Sequence, residues 1–212
     1  AVFFGGRLIP PPSAKNETEE YNGTSFSEQN NLGTARYAGG GAGTQTAGLF
    51  FSGAAGGSTS VDTEEYNGTS WSEQNNMATG RENMAGCGTQ TAGLGFGGYA
   101  NPGGASALTE EYNGTSWTAG GNMGAARYSL GSAGLQTAAL AFGGSPGGVA
   151  TTEQYDGSSW TSTASLATAR VQLAGLGTKT AGLATGGRNP SASNATEEFT
   201  DIVNEVTSLD VS

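Results

Sequence analysis

Thr109–Trp117 reads TEEYNGTSW, and the rest of the chain is organised around copies of it. The stretch returns at Thr18–Phe26, at Thr63–Trp71, as TEQYDGSSW at Thr152–Trp160, and in broken form at Thr196–Phe199. β-prone residues flank an Asn-Gly or Asp-Gly pair, the strongest short-range hairpin signal. Each copy therefore predicts a strand, a two-residue type I′ turn and the start of a second strand. The anchors Tyr21, Tyr66, Tyr112, Tyr155 and Phe199 stand 45, 46, 43 and 44 residues apart. Periods of that size include the blades of propellers.

Further features recur in register with these anchors. A Gly-Gly doublet precedes each copy, at Gly5-Gly6, Gly97-Gly98, Gly143-Gly144 and Gly186-Gly187, with Ser52-Gly53 as the variant. Before the doublet runs an alternating segment, such as Leu94 and Phe96 around Gly95, or Leu140 and Phe142 around Ala141. Period two sends the large residues to one face and the small ones to the other, so that sheets stacked face to face can interlock. The aromatic that ends each complete copy lies ten residues before an arginine, and a Leu or Met falls four before that arginine. From each arginine to the last Gly of its doublet is seventeen residues. Only the connection from that Gly to the next Tyr or Phe varies, running 15, 13, 14, 11 and 12. In a four-stranded meander a-b-c-d this is the b-to-c connection, so the length variation gathers on one face of a ring. Loops that tolerate insertion are also where function concentrates.

Composition narrows the function classes. Glycine supplies 38 of 212 residues and only 35% are hydrophobic, which would read as low complexity were the glycines not tied to a period. Eighteen acidic against eight basic residues give a net charge of -10, which argues against nucleic acid and against an anionic membrane as partners. No apolar run approaches the length of a membrane-spanning helix. Cys87 is alone, excluding an internal disulfide, and its glycine-rich strand suits a small buried residue. Histidine is absent, which removes His-bearing triads and His metal sites. The opening AVFFGG matches the middle of a repeat, so the chain reads as a trimmed or processed part of something longer.

A Gly-Gly doublet, a Tyr, a Trp five residues later, and a Leu or Met four residues before an Arg together resemble the kelch repeat of β-propellers. The wording of the copies, TEEYNGTSW and AGLGFGG among them, is similar to kelch-type repeats in tail and fibre proteins of marine bacteriophages. Departures are Ser52 in a doublet, Phe26 in place of Trp, and Phe199 in place of Tyr with no aromatic five residues on. The resemblance implies an all-β fold, a five-bladed kelch-like propeller of four-stranded antiparallel blades, with residues 1–212 as one domain. Five b and five c pieces stand against only four Arg-led a pieces. The first innermost strand is therefore absent or supplied by the C-terminal segment, where Val203–Val211 is β-prone.

The repeated arginines Arg36, Arg81, Arg127 and Arg170 beside repeated glutamates predict structural ion pairs, since buried charges persist only when paired. A glycosidase needs two differentiated carboxylates about 5 to 10 Å apart, and identical copies in every blade do not differentiate them. Trp71, Trp117 and Trp160 read as wedges between blades rather than sugar platforms. Neither a cofactor nor a metal is expected. The resemblance implies a non-enzymatic binding module of a phage virion, in an extracellular tail or fibre. Its partners would be other virion proteins and a host-surface glycan or protein, with no nucleic acid, no membrane insertion, and room for a homo-oligomer. The candidate contacts are Arg7, Ile9, Lys15, Tyr99, Asn101, Arg188 and Asn189. They place charged, apolar or amide groups on a face otherwise rich in Gly, Ser and Ala. The alternative is a structural protein decorating a virion or filament, and a distant third is a glycan-active enzyme.

Overall fold

The alternation of large and small residues is realised as five antiparallel sheets arranged as a five-bladed β-propeller. The computed structural model describes residues 1–8 and 13–201. Blade 2 runs from the inside outward as Gly40–Thr44, Ala47–Phe51, Thr63–Tyr66 and Trp71–Gln74. Blade 3 follows as Ala85–Thr89, Ala92–Phe96, Thr109–Tyr112 and Trp117–Ala119, and blade 4 as Gly131–Leu135, Ala138–Phe142, Thr152–Tyr155 and Trp160–Thr163. Blades 1 and 5 each show three strands among the described residues. Blade 1 has Val2–Phe4, Thr18–Tyr21 and Phe26–Gln29, without an inner strand; blade 5 has Ala174–Gly177, Ala181–Thr185 and Thr196–Thr200, without an outer one. The segment Val203–Val211, expected to fill one of those places, lies outside the described residues.

Glycine in the inner strands reflects how closely they approach one another. A Cβ on Gly86 would lie 2.6 Å from the Phe51 ring and 2.8 Å from the Gly41 amide nitrogen, inside contact distance. The large residues of the b strands meet the neighbouring blade instead. Leu49, Phe51, Leu94, Phe96 and Leu140 are fully buried, and Phe142 nearly so. In blades 1 to 3 one b-strand phenylalanine meets the next blade's tryptophan, with ring centroids 4.8 Å apart for Phe4 and Trp71, 4.8 Å for Phe51 and Trp117, and 4.7 Å for Phe96 and Trp160. Each indole N–H also donates to the first threonine of the preceding blade's c strand, from Trp71 to Thr18, Trp117 to Thr63 and Trp160 to Thr109. The tryptophans thus seat one blade on the next by ring packing and by one hydrogen bond each.

The hairpin turn differs from the two-residue type I′ form expected from Asn-Gly. Strand pairing ends at Tyr66 and Trp71, leaving four residues between them. Of the central pair only Gly68 has positive φ, +90°. The reason is the asparagine side chain: Asn67 Oδ1 accepts from the amides of both Thr69 and Ser70, a local Asx closure that satisfies two backbone donors. Asn22, Asn113 and Asp156 repeat this arrangement. The backbone amides of Ser159 and Ser158 hold the Asp156 carboxyl down at about 2.

Around the axis, the second residue after each repeat arginine takes a left-handed conformation: Ala38, Asn83, Ser129 and Gln172. Their amides link the blades in sequence, Asn83 N–H donating to Ala38 C=O, Ser129 to Asn83, and Gln172 to Ser129.

Candidate functional site

The charged residues of the repeat divide into an internal framework and a variable face. In blade 4 the Arg127 guanidinium donates through Nη1 to Gly143 C=O and Thr151 C=O, both at 2.8 Å, and through Nη2 to Glu153 Oε1 at 2.7 Å. The other carboxylate oxygen of Glu153 accepts from the Gly124 amide, one residue after the Met123 of the motif. Arg36 with Glu64, Arg81 with Glu110 and Arg170 with Glu197 repeat this unit. Burial pushes the Arg81 and Arg127 guanidiniums below their ordinary range, and the paired carboxylates oppose that shift.

The second glutamate of the first three TEE copies has a different partner. Tyr66 Oη donates to Glu20, Tyr112 Oη to Glu65 and Tyr155 Oη to Glu111, each across a blade boundary. Burial, then the carboxylate partner, raises the tyrosine hydroxyls: Tyr66 to about 12, with Tyr112 and Tyr155 shifted the same way. Phe199 has no hydroxyl to offer, and where its acceptor would stand the chain has Gln154, whose amide turns to Thr163. Two departures from the repeat are therefore spatial counterparts. On the uniform face, Gln90 and Gln136 each donate to two carbonyls of the preceding blade, further stitches between blades. Beside Phe199, the residues Phe142, Thr152 and Leu166 form a cleft of about 170 Å³, the equivalent of the slots that hold tryptophan elsewhere.

The opposite face carries the b-to-c loops. Three of them form small antiparallel ribbons, Arg7–Leu8 with Ser13–Ala14, Ala54–Ala55 with Ser58–Thr59, and Tyr99–Ala100 with Gly104–Ala105. The residue after each repeat arginine bridges to the start of a loop, Tyr37 to Ala54, Glu82 to Tyr99, Tyr128 to Ser145 and Val171 to Arg188. This bridge fixes where each loop leaves the blade.

The sequence-predicted contacts fall into separate clusters on that face. The exposed Arg7 guanidinium lies 5.2 Å from the Tyr37 ring, a cation–π pair at the edge of a cleft of about 310 Å³ that Ser13, Ala14, Gly56 and Gly57 complete. Lys15 pairs with Glu17 at 2.9 Å, and that hydrogen bond holds the Glu17 carboxyl below its usual range. Ile9 lies outside the described residues. Tyr99, 37% exposed, meets Tyr128 edge-on with centroids 5.5 Å apart, and Asn101 is exposed on the same ribbon. Arg188 and Asn189 are brought together on a cleft of about 190 Å³ beside Ser145, Gly147 and Gly148. Arg188 Nε donates to Gln172 Oε1 at 2.7 Å and Asn189 Nδ2 to Ala169 C=O at 3.0 Å. Tyr37, Tyr128 and Gln172 were missed in the sequence. Their signal was present, because the two positions after the invariant repeat arginine vary, reading Tyr37-Ala38, Glu82-Asn83, Tyr128-Ser129 and Val171-Gln172.

Of the eight basic residues, four are the buried framework arginines. Arg7, Lys15 and Arg188 stand on the variable face, and only Lys179 is placed in the opposite a-to-b turn. Among the described residues, no group of His, Cys, Asp and Glu side chains is placed to hold a metal. No protein-family model matches the chain, and no curated protein matches it.

Proposed function

We propose that this chain is a non-enzymatic adhesion module of a phage virion appendage, and that it binds a host-surface glycan or protein through its b-to-c loops. The observation that carries the reading is the division of the polar residues. The buried carboxylates Glu64, Glu110 and Glu153 are bound to arginine, and Glu20, Glu65 and Glu111 accept from tyrosine. Carboxylates held this way have no free partner with which to share acid–base work. Three of the four accessible cations, Arg7, Lys15 and Arg188, and the Tyr99 ring gather on the one face whose loops differ in length. Two clefts there, beside Arg7 and beside Arg188, sit at or below the small end of ligand-site volumes, about 300 to 1,000 Å³. That suits single sugar units of a longer chain. Guanidiniums on an acidic protein favour a glycan bearing carboxylate or sulfate groups, which arginine recognises with paired hydrogen bonds.

The test is a surface coated with an acidic polysaccharide and probed with the chain and its variants. Arg7→Ala and Arg188→Ala are expected to weaken retention, and Lys179→Ala, on the other face, to leave it unchanged. Equal retention by all three variants would refute binding through this face.

A further inference from the structure

One carboxylate of the variable face stands outside the framework. Glu82, the residue after the blade 3 arginine, is half-buried. All eight basic residues of the chain are among the described ones, and none of them pairs with it. The motif glutamates of blades 2 and 3 are all taken, Glu64 and Glu110 by arginine, Glu65 and Glu111 by tyrosine. Glu82 and Tyr99 exchange both backbone hydrogen bonds, at 2.9 and 2.7 Å, so they stand directly opposite with their side chains on one side of the ribbon. Tyr128 closes on Tyr99 at an interplanar angle of 76°, and the two rings form an open corner beside the carboxylate.

The repeat itself shows what a ring at this position attracts. Tyr37 is the counterpart of Tyr128, directly after a repeat arginine, and Arg7 is the counterpart of Tyr99, directly after a Gly-Gly doublet. Between blades 1 and 2 the chain lays its own Arg7 guanidinium 5.2 Å from the Tyr37 ring. Between blades 3 and 4 a second ring stands in place of the guanidinium, and Glu82 adds a negative charge. Ring faces and a carboxylate favour the same kind of group, a positive one. A sugar hydroxyl would bond to the carboxylate and leave its charge uncompensated. Arg7 on blade 1 and Arg188 on blade 5 lie to either side on the same face. An extended ligand crossing this face therefore meets a guanidinium, then a carboxylate beside two rings, then a guanidinium.

We propose that Glu82, Tyr99 and Tyr128 form a site for the ammonium group of an amino sugar, so that the ligand is a zwitterionic glycan with ammonium groups between its acidic ones. This rests on the reading of the variable face as a glycan-binding surface. The ammonium sits against the Tyr99 and Tyr128 rings and donates to the Glu82 carboxylate, while Arg7 and Arg188 take the acidic groups of neighbouring units. N-acetylation of the amino sugar removes the charge and with it both attractions.

The experiment compares retention of the full chain on immobilised hyaluronan, in which glucuronate alternates with N-acetylglucosamine, and on the same polymer after N-deacetylation, at a pH where the freed amine is charged. The deacetylated polymer is expected to bind about threefold tighter or more. Glu82→Gln and Tyr128→Leu should erase that preference, and Tyr128→Phe, which keeps the ring, should preserve it. Asp156→Asn makes an equal charge change in a turn of the opposite face and should also preserve it. Equal retention of the two polymers by the folded chain, or a preference that survives Glu82→Gln, overturns the inference. Failure to retain either polymer counts against the glycan reading of the face, and the ammonium site is then decided by NMR titration with methyl glucosaminide and its N-acetyl counterpart. Shifts at Tyr99 and Tyr128 with the first sugar alone support the site, and shifts with neither or equally with both overturn it.

Discussion

Replacing Arg127 by Met removes one framework cation from a site that is 2% exposed. Three hydrogen bonds are lost, two to carbonyls and one to Glu153, whose side chain is 3% exposed. The carboxylate keeps its bond to the Gly124 amide and has no other partner for its charge. Breaking a buried pair from one side costs about 3 to 5 kcal/mol, mainly because the remaining charge is stranded. The sign of the second mutation is the sharper expectation. Adding Glu153→Gln to Arg127→Met removes the stranded charge and keeps an acceptor for Gly124, so the double variant should be more stable than Arg127→Met alone by about 2 kcal/mol. Urea denaturation followed by tryptophan fluorescence measures both values, with an unchanged m confirming that the same surface is exposed. In blade 5 the carboxylate of Glu197 is 23% exposed and reaches water, so Arg170→Met should cost less than Arg127→Met. An Arg127→Met loss below about 1 kcal/mol, or a further loss on adding Glu153→Gln, would refute the stranded-charge reasoning.

Other expectations follow from the same packing. Leu94→Ala, at a fully buried position between blades, should cost about 2 to 5 kcal/mol in urea denaturation; a loss under roughly 0.5 kcal/mol would reverse the assignment of strand faces. Gln154→Glu with Phe199→Tyr should recreate the tyrosine–glutamate bond of the other blades. A double-mutant cycle is expected to show favourable coupling of about 1.5 to 3 kcal/mol, and simple additivity would mean that the two residues are not partners. Tyr66, Tyr112 and Tyr155 have hydroxyls raised in the folded state. Their contribution to stability is whole below pH 10, their ordinary value, and for Tyr66 is lost as pH rises toward about 12. Alkaline titration at 295 nm should show three of the seven tyrosines ionising late and together with unfolding; early ionisation of all seven would contradict their burial.

The blades were legible because the repeat fixes register at several points at once. The spacing from aromatic to Arg and from Arg to Gly located the strands, and alternation located their buried faces. The turn type was misread because Asn-Gly signals a hairpin without revealing whether the asparagine side chain closes it. Nor did the sequence show that the two glutamates of TEE face different partners. Adjacent residues on a strand point to opposite faces, so one meets its own blade's arginine and the other a neighbour's tyrosine. Gln154 and Phe199 looked like separate irregularities, 45 residues apart, until the fold placed them across one blade boundary. On the variable face the loops were located correctly by their lengths, but the three clusters were not. Their grouping depends on which loop starts bridge to Tyr37, Tyr128 and Val171, a contact between positions that no local pattern connects.

The most direct measurement of the central claim is a glycan array probed with the folded chain beside a variant whose five b-to-c loops are all cut to short Gly-Ser turns. Binding by the first and silence from the second is the predicted result, with signal concentrated on carboxylated or sulfated glycans. Equal binding by the two would place recognition elsewhere on the propeller, and silence from both would favour a purely structural role.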